Sequence, residues 1–111
     1  MDRHSLSRTL SAGYIERHSF DLERKLFSIT VHVLEDATLS VYEVQFLGVS
    51  RFLFEDNQAG EWERLQLTEL WLDAGPEASG TEEWEVTLSL WDLAHISVRC
   101  TSVVIDGEPL R

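Results

Sequence analysis

Glu69 is the residue whose neighbours best suit it to acid–base chemistry. It stands between Leu67 and Trp71 on an otherwise apolar strand face. Desolvation there would raise its pKa and let it donate a proton near neutrality. A plainer reading competes. A buried, unpaired carboxylate is costly, so the strand is expected to twist or end at Glu69 and let it reach water. Carboxylates are abundant elsewhere, but glycosidase chemistry needs two of them across a cleft at a separation that sequence does not supply. His32 and His95 each sit mid-strand on the more polar face, and His18 could join them if strands placed all three together. Neither HxH nor HxxxE spacing supports a metal site, so they read as solvent-facing or hydrogen-bonded structural histidines. Cys100 with His95 would make a nucleophile and base, but five residues along one strand point them to opposite faces. Cys100 shares parity with Ala94, Ile96 and Val98 and reads as core. The chain has neither a nucleophile elbow nor a phosphate or dinucleotide loop. No catalytic residue, cofactor or metal is expected.

The stronger signal is one of binding. Residues 61–92 hold nine carboxylates and a single base, Arg64, and so carry −8 of the chain's −11. All four tryptophans, Trp62, Trp71, Trp84 and Trp91, lie in the same stretch. Trp71 and Trp84 fall on apolar faces and are expected in the core. Trp62 and Trp91 fall at strand ends beside Glu61, Glu63 and Asp92, where a half-exposed indole suits a protein interface. The expected contact surface is Trp62 and Trp91 with Glu61, Glu63, Glu82, Glu83 and Glu85. The indoles would anchor, while the carboxylates would steer and pair with Arg or Lys.

Charge and composition bound the partners. Twenty acidic against nine basic residues repel phosphate backbones and anionic headgroups, which argues against nucleic-acid or membrane binding and for a basic protein. A length of 111 residues is one domain, with 43% apolar residues to fill a core. One cysteine excludes an internal disulfide and fits a reducing compartment. The N-terminal residues lack the apolar stretch of a signal peptide, and no apolar run approaches the ~18 residues of a membrane span. The expected location is the cytoplasm.

The elements that must position these residues have a period of two. Residues 26–34 are the clearest strand, with Phe27, Ile29, Val31 and Val33 on one face and Ser28, Thr30 and His32 on the other. Weaker alternation marks residues 14–23, 38–46, 49–54 and 62–72. Residues 84–91 and 94–105 alternate clearly again. Mixed parity predicts burial on both faces or a bulge near Val41, and a bulge near Thr101 and Ser102. Asp106-Gly107 ends the last strand, and Pro109 discourages further pairing. Residues 73–83 form the longest loop. Residues 1–12 are polar and without period, and read as a flexible arm before a single β domain over 13–111. No helix of ordinary length is predicted. About seven strands with short connections predict an all-β, antiparallel meander folded into a sandwich or partly open barrel.

The order of these segments resembles small bacterial all-β proteins of the YxiG-like and immunity-protein-like families found near polymorphic toxins. The resemblance is carried by the strand from Phe27 to Val33, by Val49-Ser50-Arg51-Phe52-Leu53-Phe54, by Trp62-Glu63-Arg64-Leu65 leading to Glu69-Leu70-Trp71, and by Ile96-Ser97-Val98-Arg99-Cys100. It implies a stoichiometric binding protein rather than an enzyme, and assigns no residue a role. A small-molecule binder or hydrolase in a barrel mouth, using Glu69 or the histidines, and a homo-oligomer joined at a strand edge are the alternatives.

Overall fold

The computed structural model describes residues 2–73 and 83–110. The expected loop over 73–83 falls almost wholly outside them, and so does Glu82.

The period-two segments fold as antiparallel strands. They are β1 (Tyr14–Asp21), β2 (Leu26–Glu35), β3 (Thr38–Leu47), β4 (Arg51–Asp56), β5 (Leu65–Asp73), β6 (Trp84–Leu90), β7 (Ala94–Cys100), β8 (Ser102–Ile105) and β9 (Glu108–Pro109). All nine join one open sheet in the order β4-β7-β6-β5-β1-β2-β3-β8-β9. β1-β2-β3 and β5-β6-β7 are the two meanders. A short pairing, Tyr14 with Gln66 and Ile15 with Leu65, links the half-sheets they belong to. The sheet curls on itself, so that Phe52 of the edge strand β4 meets Phe20 and Phe27 at centroid separations of 4.8 and 4.9 Å.

The core follows the alternation. Phe27, Ile29, Val31 and Val33 of β2 are buried, as are Val86, Leu88 and Leu90 of β6 and Ala94, Ile96, Val98 and Cys100 of β7. Burial pushes the Cys100 thiol up to about 12.

The extra strands come from the C-terminal segment. Residues 94–105 do not form one bulged strand: Thr101 is the crossing point at which the chain leaves β7 in one half-sheet and enters β8 in the other. Asp106 and Gly107, at φ 51° and 84°, make the two-residue turn that favours Asp-Gly, and Glu108–Pro109 then pairs with β8. Pro109 is tolerated because β9 is the sheet's edge, where a missing N–H breaks no ladder.

The mixed parity of β3 needs no bulge. Its pairing with β2 runs unbroken from Leu47 with Leu26 to Thr38 with Glu35. Tyr42, Val44 and Phe46 take the inner face, and Leu39 and Val41 simply lie on the outer one. The shifts of register occur elsewhere, between Ile15 and Arg17 in β1 and between Leu67 and Glu69 in β5. Each extra residue inverts the faces beyond it. The first turns His18 and Phe20 inward. The second turns Leu70 inward and Glu69 and Trp71 outward, so Trp71 is 43% exposed rather than core.

The arm expected over residues 1–12 is a helix, α1 (Arg3–Leu10). Asp2 caps it by accepting from the Ser5 amide at 2.8 Å, and this hydrogen bond holds the Asp2 carboxyl below its ordinary pKa. An eight-residue helix does not persist alone. This one does because Leu6 and Leu10, one turn apart, are fully buried, and because Ser7 Oγ donates to the Leu70 carbonyl at 2.6 Å. Gly13 follows where the chain presses on β2; a Cβ there would stand 2.9 Å from Val31 and Val33.

Candidate functional site

The predicted contact surface divides into two ends of the sheet. Trp62 and Trp91 share one. Asp56, the last residue of β4, pairs with Ala94, the first of β7. Its carboxylate accepts from Trp62 Nε1 at 2.8 Å and from the Gln58 amide at 2.8 Å, which fixes the half-buried indole against the core. The next residue, Asn57, donates its amide to the Leu93 carbonyl at 2.9 Å. That bond ties the loop to the β6–β7 turn, where Trp91 stands 58% exposed.

The turn is unusual for its residues. Trp91 and Asp92 both have positive φ, 54° and 56°, and Leu93 N closes the turn on the Leu90 carbonyl at 3.0 Å. Such a turn favours Asn and Gly, and a bulky residue in it costs on the order of 1 kcal/mol. Ser89 Oγ, itself buried, donates to Asp92 Oδ1 at 3.2 Å and braces it. Leu93 adds a second partly exposed apolar side chain, and Glu55, Asp56, Glu61 and Glu63 on the β4–β5 segment and Asp92 in the turn are all exposed. The nearest base in sequence, Arg64, is engaged elsewhere, with its guanidinium 4.4 Å from the centre of the Tyr14 ring.

Glu83 and Glu85 do not belong to this end. Glu85 is six residues from Trp91 along β6, about 20 Å at the rise of a strand. Its carboxylate takes Arg99 in a two-nitrogen contact, from Nε at 2.9 Å and from Nη2. Glu83 adds an ion pair to the same guanidinium at 3.6 Å. The hydrogen bonds to Glu85, and then its charge, raise the Arg99 pKa further. Both carboxylates are thus paired with Arg99 within the chain. The carboxylates that stand beside the two indoles are Asp56, which holds Trp62, and Asp92, which follows Trp91 in the turn.

Of the catalytic candidates, Glu69 and His95 flank Ser89 from the neighbouring strands β5 and β7, whereas His32 lies in the other half-sheet. Glu69 faces out because of the β5 bulge. His32 lies in the first half-sheet, its Nδ1 3.1 Å from the Tyr14 hydroxyl. His95 lies in the second, paired across strands with Glu55 and Ser89. Among the described residues no three His, Cys, Asp or Glu side chains converge as metal ligands.

A second concave feature was not anticipated. Between β1 and β4 lies a space of about 390 Å³, walled by Ile15, Phe20 and Phe27 on one side and Phe52, Leu90 and Ile96 on the other. Among the described residues His18 is its one polar wall.

No helix of the described residues is long and apolar enough to cross a membrane. Comparison with known protein families and with curated proteins found no match.

Proposed function

We propose that the chain is a non-catalytic binding module that takes a basic protein partner on the acidic end bearing Trp62 and Trp91. The observation that carries this reading is Trp91 itself. A bulky indole occupies a left-handed turn position at a cost in stability, more than half exposed, next to Asp92 and in a turn tied by the Asn57–Leu93 hydrogen bond to the loop that follows Asp56. A residue that costs stability without filling the core suits a role as an interface anchor. The same charge disfavours nucleic acid and anionic lipid. A stoichiometric, immunity-type inhibitor of a basic toxin is the specific form we favour. It would act in the cytoplasm, where the free, buried Cys100 stays reduced.

Affinity capture at low and raised salt supplies a partner, and surface variants then test the site. Trp91→Ala should speed dissociation of the captured basic protein tenfold or more. Glu61→Gln with Glu63→Gln and Asp92→Asn should slow association and flatten its salt dependence. Glu83→Gln with Glu85→Gln should do much less. Equal effects of the two charge sets would sink the assignment of the site.

A further inference from the structure

The sheet fails to close in one place. Among the described residues β1 pairs with β5 at Tyr14 and Ile15 alone, so residues 16–21 have no strand neighbour there on that side, and β4 is the sheet's terminal strand, with its outer edge unpaired. The space of about 390 Å³ lies between these two strands. His18 pairs with Ile29, which is 1% exposed, and Phe54 pairs with Ile96, which is 7% exposed. Both side chains therefore point into the fold, yet His18 is exposed and Phe54 is 52% exposed. Inward-facing residues that meet water on both flanking strands mark a mouth.

The size of the space points to a ligand. A dry cavity of ~150 Å³ lined by apolar side chains holds benzene, and small-molecule sites begin near ~300 Å³. This one has room for a chain of about ten to twelve carbons on the same scale. Phe20 and Phe52 also wall an adjoining surface depression that contains Lys25 and Arg51. Among the described residues neither cation is in an ion pair. Asp21, on the same side, is already answered by Arg24 at 3.7 Å. Ser50, in the same depression, donates to Glu83 at 3.2 Å, and Glu83 is itself drawn to Arg99, so Lys25 and Arg51 are the cations left beside the aromatic-walled space among the described residues, and they complement an anionic head.

We infer that the β1–β4 cleft binds a medium-chain carboxylate, with its tail among Phe20, Phe27 and Phe52 and its head on Lys25 and Arg51. The test is calorimetry with dodecanoate and with dodecanol, both below micelle-forming concentration. Dodecanoate should bind one to one and at least tenfold more tightly than dodecanol. Lys25→Gln with Arg51→Gln should remove that preference while leaving dodecanol unchanged. Phe54→Asp, at a half-exposed position on the wall of the cleft, should weaken both ligands tenfold or more. Circular dichroism establishes that each variant is folded. Saturation absent up to the solubility limit, equal binding of the alcohol and the acid, or affinity indifferent to these variants would each overturn the proposal. So would co-sedimentation with phosphatidylglycerol vesicles in place of one-to-one binding.

Discussion

Replacing Leu10 with Ala is the sharpest test of how the N-terminal segment is held. Leu10 is fully buried, together with Leu6 one turn earlier. Truncating a buried leucine loses its transfer free energy and leaves a cavity, about 3 kcal/mol for a site without room to collapse. α1 is too short to survive unanchored, so the loss extends to its contact with Leu70. With a urea dependence of about 1.5 kcal/mol per molar, suited to a chain of this size, the midpoint should fall by about 2 M. Tryptophan fluorescence follows the transition, since Trp84 is buried in the core. Leu6→Ala should cost a similar amount, and the two should not add simply because the residues share a helix face. Arg8→Ala, on the exposed face, should stay within ~0.5 kcal/mol of the parent. A midpoint unchanged by Leu10→Ala, or equal costs at Leu10 and Arg8, would refute a docked helix and restore a loose arm.

Other perturbations probe the turns, the crossing and the thiol. Ala37 has a φ of 66° in the two-residue β2–β3 turn, so Ala37→Gly should raise stability by roughly 0.5–1 kcal/mol in the same urea assay. Gly48 has a φ of 64°, and a Cβ there would collide with the Thr101 side chain. Gly48→Ala should therefore cost about 2 kcal/mol or more, and adding Thr101→Ala should recover only the steric part. Burial pushes the Cys100 thiol up to about 12 in the folded chain, against ~8.5 for an unperturbed thiol. Its contribution to stability is thus complete below the unfolded value and is lost as pH rises towards the folded one. Between pH 9 and 11 the parent should lose up to about 1.4 kcal/mol per pH unit more than Cys100→Ala. A thiol reagent at pH 8 should label native Cys100 only as fast as the protein opens.

The strands were legible because alternation reports burial directly. Residues 27–33, 84–90 and 94–100 each present one apolar face, and each buries it. The two bulges were not legible. An extra residue at Glu16 or Thr68 leaves no mark in composition, yet it decides whether Glu69 or Leu70 faces the core. α1 escaped notice because only Leu6 and Leu10 carry its apolar face, and tertiary burial rather than propensity holds it. In the candidate site, the places of Trp62, Trp91, Glu61 and Glu63 at strand ends were legible from the turns beside them. Separating them from Glu83 and Glu85 required knowing that β6 runs the length of the sheet between the two groups, and that Arg99 answers the second. The cleft between β1 and β4 depends on which edges stay unpaired, and that is a property of strand order.

The two crossings, near Gly48 and at Thr101, also constrain how the chain can be made. The first half-sheet takes β1, β2 and β3 early, but its fourth strand, β8, arrives only after the whole second meander has been laid down. On the ribosome the edge of β3 from Val44 to Leu47 must wait for residues 102–105, with its inner face bare in the meantime. The first half-sheet is incomplete until then, so its folding should be delayed until the last crossing is made, at the slow rates typical of distant strand pairings. A chain stopped before Ser102 would be left with an open strand edge, and its usual fate is pairing with another copy.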